Sequence, residues 1–278
     1  MIKVEKNFED IPEILKSPNR KEAFDQNINA QKFIDNKNLY RVDSVKNKLK
    51  KIYHNKCAYC EKDISDEPQH IEHYRPKNHY YWLAYSWDNL LFCCARCNTK
   101  KSNNFATEKQ KLAYRDEKFE NIHTLGNHYD TLENPLIINP EKDDILEEIV
   151  FYKDGTIDSK NERVKHTIEV ACGLNRDELV QNRMKIVNEF VNLLNGYLYL
   201  FRKKKDLSVF EPIIQNFIND CKKENEYFTF RRYVINNIDI FIENKNLVKI
   251  VNQNKLSSSD SFKTNLPEID INDDEIPF

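Results

Sequence analysis

Cys57-Ala58-Tyr59-Cys60, His70-Ile71-Glu72-His73-Tyr74-Arg75-Pro76-Lys77 and Trp87-Asp88-Asn89-Leu90-Leu91-Phe92-Cys93-Cys94-Ala95-Arg96-Cys97-Asn98-Thr99-Lys100-Lys101 share one short window of the chain. Each Cys-x-x-Cys pair sets two sulfurs on one side of a turn, and two such pairs satisfy a tetrahedral zinc ion. Cys57, Cys60, Cys94 and Cys97 are therefore expected to hold a structural zinc. Cys93 offers another register with Cys97, but Cys94 repeats the spacing of the first pair. An ion with four thiolates keeps no position for water, so it holds structure and does no chemistry. Any chemistry must come from what the two knuckles enclose.

Composition narrows the field around this window. The 278 residues carry 43 basic and 45 acidic side chains, so no global basicity advertises a polyanion. Such a partner has to be met locally. Residues 41–62 hold seven basic and two acidic residues, and 96–118 hold seven and three, so basic zones flank the window. Residues 141–148 and the last stretch of the chain are acidic. Only four glycines are present, which favours helices over a glycine-punctuated barrel. The cysteines number seven, and four pair as Cys-x-x-Cys, which indicates metal rather than disulfides. There is no run of 18 apolar residues and no charged-then-apolar leader, so a soluble, cytoplasmic protein is expected.

The expected fold class is α+β and mostly helical, with a zinc-stapled core embedded in a helical scaffold. Residues 1–55 form an N-terminal helical segment, in which apolar residues from Ala30 to Lys51 recur at roughly helical spacing. Residues 56–105 form the zinc core, whose many rings (Tyr80, Tyr81, Trp82, Tyr85, Trp87, Phe92) pack around the metal or, alternatively, stack on bases. Residues 106–180 form a linker and a small α/β extension. There, residues 132–140 read as a strand closed by Pro140, and 149–157 as a strand with an Asp-Gly turn. Arg163 to Gly173 reads as a helix stopped by glycine. Residues 181–252 form a C-terminal helical region, and 253–278 an acidic flexible tail.

Phosphodiester hydrolysis needs a base for water, a cation on the scissile oxygens and support for the leaving oxygen. His73 has the chemistry of the base. Glu72 offers a hard carboxylate and Asn98 an amide oxygen to one cation. Lys100 and Lys101 follow within a turn and meet phosphate, and Arg75 and Lys77 flank Pro76 as a clamp. Arg96, inside the second knuckle, braces the thiolates or touches the phosphate backbone. His70 is either a further ligand or a surface residue. Arg176, in Gly173-Leu174-Asn175-Arg176, is read as a packing or capping residue.

Glu72-His73, Asn89 and Asn98 within a four-cysteine frame resemble the HNH endonucleases, whose ββα-metal fold is a hairpin followed by a helix. The resemblance implies His73 as the water-activating base, Glu72 as the acidic ligand and Asn89 as the residue that pins the hairpin loop. Asn98 stands where the family often has His, and an amide ligand points to Mg²⁺ or Mn²⁺. Cys57-Ala58-Tyr59-Cys60-Glu61, Ile71-Glu72-His73-Tyr74-Arg75-Pro76-Lys77 and the Glu133-Asn134-Pro135 segment resemble, more narrowly, the PtuB-type HNH component of Septu and retron anti-phage systems. That likeness covers about residues 55 to 180. It implies a nuclease effector that cuts DNA or RNA beside a PtuA-type ATPase. A zinc-stapled adaptor without chemistry is the rival expectation.

Overall fold

In the computed structural model, residues 1, 3–35, 39–204 and 207–257 are described. They fall into two compact units, Met1–Val150 with Ile157–Arg176, and Phe151–Thr156 with the chain from Asp177.

The first unit opens with α1 (Pro18–Ala30), which has proline in its first turn and ends at Gln31 in the left-handed conformation. α2 (Asp43–Ile52) follows after a break. The continuous helical stretch expected from Ala30 to Lys51 is thus two structures, and a side chain is the reason. Asn27 is fully buried; it accepts from the Ile34 amide at 2.9 Å and donates to the Tyr81 carbonyl at 3.2 Å. That pair of bonds turns the chain out of the helix.

β1 (Gln69–His73) and β2 (Leu90–Cys94) pair antiparallel, from Gln69 opposite Cys94 to His73 opposite Leu90. Every residue of β2 is buried, so it reads as one apolar run without alternation. α3 (Ala95–Lys101) starts with no intervening loop, capped by the Cys94 sulfur accepting from the Cys97 amide at 3.4 Å. The hairpin-then-helix unit expected from the sequence is present, with α2 and α3 packed on it. In the excursion between the strands, Tyr80, Trp82, Tyr85 and Trp87 are all at most 1% exposed, as is Phe92 on β2. These rings are core, which rules them out as stacking platforms.

α4 (Gly126–Glu133) is followed by an extended segment that forms no strand. Residues 132–140 make a single bridge, Thr107 to Pro135. Side chains take up several of the backbone groups a sheet would have used, and the Leu136 amide donates to the Ala106 carbonyl at 2.8 Å. Tyr74 donates to the Ile137 carbonyl at 2.9 Å, Arg163 to that of Pro135 at 2.8 Å, and the Ile138 amide donates to Thr167 at 2.9 Å. β3 (Ile149–Phe151) and β4 (Ile157–Ser159) follow, then α5 (Glu162–His166), which runs into a wider turn before Gly173 at φ +57°.

The second unit is helical: α6 (Asp177–Lys204), α7 (Glu211–Asn219), α8 (Phe228–Asn236), α9 (Ile238–Phe241) and α10 (Lys245–Ser257). Phe190 and Phe217 stack at 4.1 Å, and Phe151 meets Phe230 and Tyr233 at 5.1 and 5.3 Å. Gly155 lies at φ +79°, where a Cβ would stand 2.6 Å from the Val180 carbonyl, so the turn requires glycine. Residues 253–257 belong to α10, and the rest of the expected acidic tail, 258–278, lies outside the described residues. Among the described residues no helix is long and apolar enough to cross a membrane.

Two features of the first unit have measurable consequences. Arg75 is 2% exposed; its Nε donates to Glu133 at 3.0 Å and its Nη2 to Asp130 at 2.5 Å. Glu133 is fully buried and also accepts from Tyr80 at 2.7 Å and the Leu112 amide at 2.8 Å. Glu133→Ala leaves a buried guanidinium short of its partner and should cost about 3–5 kcal/mol in urea unfolding, more than the paired replacement Arg75→Met with Glu133→Leu. His123 is buried, accepts from the Trp87 amide at 3.0 Å, and is pulled down to about 4 by burial. Its folded value lies below the ordinary one, so its contribution is intact above about pH 6.5 and is lost as pH falls towards 4. That loss amounts to about 3 kcal/mol. His123→Asn keeps an acceptor for the Trp87 amide and should flatten this acid limb; identical slopes in the two proteins would refute the assignment.

Candidate active site

The sulfurs of Cys57, Cys60, Cys94 and Cys97 all lie within 4.8 Å of one another, and all four residues are buried. A tetrahedral zinc with bonds of about 2.3 Å asks for sulfurs about 3.8 Å apart, so the donor set fits that ion. Hydrogen bonds from the Cys57 and Cys60 thiols hold the Cys94 thiol far below its ordinary range. Cys93, the other register, turns its sulfur towards Cys57 at 3.5 Å, outside the four-sulfur group. The Arg176 guanidinium reaches the same sulfurs, 3.5 Å from Cys97 and 3.9 Å from Cys94. Four thiolates around a divalent ion carry net negative charge, and Arg176 offsets it.

His73 ends β1 and is 5% exposed. Its Nε2 lies 2.9 Å from the Ala84 carbonyl oxygen. A carbonyl only accepts, so Nε2 carries the proton and Nδ1 keeps its lone pair. Burial pulls this imidazole down to about 3; the Ala84 bond opposes that, while Lys77, Lys101 and Arg41 add to it. The ring is therefore neutral at ordinary pH. Asn89 fixes the surroundings of that bond. Its Oδ1 accepts from the Arg75 amide at 2.7 Å, and its Nδ2 donates to the carbonyls of Arg75 at 3.1 Å and Leu83 at 3.2 Å. It thus ties the chain just after His73 to the chain just before Ala84.

Glu72 is 5% exposed, and its Oε1 accepts from Lys101 at 2.8 Å. Burial raises its carboxyl and Lys101 opposes the rise. The same ammonium donates to the His73 carbonyl at 2.8 Å, so Lys101 clips α3 to the end of β1. Among the described residues nothing donates to the other oxygen of Glu72. Asn98 is half-buried on α3, the helix packed on β1. A carboxylate and an amide oxygen are the donor types that a hard cation takes.

Residues 57–104 match the HNH endonuclease family. They form an HNH endonuclease domain. The chain is 34% identical over 181 residues to the Septu protein PtuB of Bacillus mycoides (strain KBAB4), covering 56% of this chain and 57% of that protein. It is 30% identical over 172 residues to the Septu protein PtuB of Bacillus thuringiensis, covering 61% and 56%. It is also 27% identical over 180 residues to the Septu protein PtuA of Bacillus mycoides (strain KBAB4), 60% of this chain but 23% of that protein. The chain thus spans a little over half the length of the PtuB relatives it matches.

The cations expected at the HNH site separate into two groups. Arg75 and Lys101 do not face solvent: both are buried in ion pairs, with Glu133 and Asp130 and with Glu72. Arg96 and Lys100 are exposed, the latter with its stem over Gly173, and Lys77 is half-buried beside His73. His70 is half-buried opposite Cys93. Sequence reasoning missed Ala84, a backbone acceptor with no side-chain signature. It also underread Arg176, although the segment that carries it stood out by resemblance.

The two cysteine registers give different outcomes on substitution. Cys93→Ser should keep one zinc per chain in a colorimetric release assay, and Cys94→Ser should lose it together with folded signal. Arg176→Met should release zinc to a chelator faster than the parent protein while its secondary structure is retained.

Proposed function

We propose that the chain is a metal-dependent nuclease that hydrolyses nucleic-acid phosphodiester bonds with His73 as general base, DNA being favoured over RNA. The observation that carries this is the bond between His73 Nε2 and the Ala84 carbonyl, which leaves Nδ1 as the acceptor. A neutral imidazole locked in one tautomer takes a proton from water without first losing its own. Asn89, bonded to both sides of that contact, is a positioning residue. Glu72 and Asn98 would hold one Mg²⁺ or Mn²⁺, which when bound neutralises charge on the scissile phosphate. Lys101 pairs with Glu72 and opposes the rise that burial imposes on its carboxyl. Attack on phosphorus would leave a 5′-phosphate and a 3′-hydroxyl.

The cation His73 becomes on taking the proton is disfavoured by burial and by three neighbouring positive charges. A phosphodiester beside the ring reverses part of that penalty, so the base gains strength only with substrate in place. The PtuB and PtuA similarities support the finer proposal that the protein is the nuclease effector of a Septu-type defence system, working in the cytoplasm beside a PtuA-type ATPase. A purely adaptor role gives the locked tautomer nothing to do.

His73→Ala should lower cleavage of plasmid or tRNA in Mg²⁺ by about 10²–10⁴-fold in a protein that stays folded and zinc-loaded at the assay temperature. Cleavage at the parent rate by that folded, zinc-loaded variant removes His73 from the mechanism. The parent protein should be assayed with and without the ATPase.

A further inference from the structure

The Tyr40 ring lies edge-on to His73 with centroids 4.5 Å apart, and Tyr40 itself is 1% exposed. Two cations gather on that ring. Lys77 Nζ donates to the Tyr40 hydroxyl at 2.6 Å and stands 4.7 Å from the ring centroid; the Arg41 guanidinium stands 5.0 Å from the same centroid. Lys77 also lies 4.3 Å from the centroid of Phe33. Burial and the Arg41 charge together lower Lys77 from its ordinary value, with Asp35 and Glu72 acting the other way. Two like charges held beside one buried ring repel, and the ring quadrupole relieves only part of that. Asp35 and Glu72 offset part of what is left, and a phosphate arriving from solvent would add to that relief. Arg41 is exposed and Lys77 is half-buried, so the pair is reachable from solvent.

None of Phe33, Tyr40 or Arg41 lies within the HNH domain at 57–104. They come from the segment between α1 and α2, the stretch where the chain leaves its helical course. We infer that Arg41 and Lys77, gathered on Tyr40, form a phosphate subsite beside His73 that takes a backbone phosphodiester of the nucleic-acid strand. The inference rests on the nuclease reading for its ligand, but its geometry is independent of whether cleavage occurs. A planar guanidinium pairs with two phosphate oxygens at once, and an ammonium with a third as a point charge. Phosphate contacts position a strand without reading its sequence. The subsite would therefore fix the strand against His73 equally for any base.

The test is fluorescence anisotropy with the full chain and no added divalent cation. The probes are a 20-nucleotide single-stranded DNA, its duplex and the RNA of the same sequence, each over a series of salt concentrations. Arg41→Gln should weaken every arm by a similar factor, about tenfold, and make the logarithmic salt slope shallower by about 0.7–0.9, one phosphate's worth. Arg41→Lys should restore most of the slope. Zinc content and melting temperature should not move, because Arg41 is exposed. Parent affinity and parent slope in Arg41→Gln overturn the subsite, as does an unchanged KM where the parent protein cleaves. A parent protein that binds but never cleaves, with Arg41→Gln still losing one phosphate's slope, defeats the nuclease reading and leaves the subsite standing. Failure of the parent protein to bind any probe overturns both.

Discussion

Four cysteine sulfurs converge within 4.8 Å, and everything near the candidate site depends on what that convergence demands. Buried thiolates repel, so the cluster is stable only with a cation at its centre. One knuckle precedes the hairpin and the other straddles the junction of β2 and α3, so such an ion would tie three pieces of chain. The Cys94 sulfur is both ligand and helix cap, which makes the start of α3 part of the metal site. α3 carries Asn98 and Lys101, and Lys101 closes the loop by holding Glu72 and the His73 backbone. The frame thus reaches Glu72 and His73 through one short helix and one buried ion pair.

Burial of His73 has two opposite effects. It fixes the ring and its tautomer through Ala84, which is the preorganisation a base needs. It also makes the ring a poor base in the empty site, since the imidazolium would sit dry among Lys77, Lys101 and Arg41. Of these cations Lys101 is already paired with Glu72. On the proposed reading, a phosphate would face Lys77, Arg41 and the nascent imidazolium at once, so substrate binding and base strength would be coupled by simple electrostatics. A site built this way would be weak towards water in the absence of a strand.

The convergence of the four cysteines, the hairpin-and-helix and the place of Glu72-His73 at the end of its first strand were legible because each rests on side-chain type at a fixed spacing. Asn89 was legible only through resemblance, since nothing in its neighbours says that its amide bonds Arg75 and Leu83. The segment 132–140 misled because an apolar run closed by proline has the composition of a strand. Its backbone groups are instead met by the side chains of Tyr74, Arg163 and Thr167 and by the backbone of Val4, Ala106 and Glu108, partners far apart in sequence. The break between α1 and α2 was hidden for a similar reason. One buried asparagine bonding out of the helix overrides a helical period that Phe33 and Ile34 continue in sequence alone.

The basic residues of the site show why local charge is a poor guide to contact. Arg75, Lys77 and Lys101 look alike in the sequence, each a cation close to His73 in sequence or in the following helix. Their fates are set by the acids that meet them. Glu133 and Asp130 arrive from α4 and take Arg75 into the core, and Glu72 takes Lys101. Among the described residues Lys77 forms no ion pair; it donates to the Tyr40 hydroxyl and lies beside two aromatic rings, and the Asp35 and Glu72 charges act on it. It stays half-buried, and His73 stands next to it. Arg41, far from this group in sequence, stands on the same Tyr40 ring as Lys77, and that ring lies edge-on to His73.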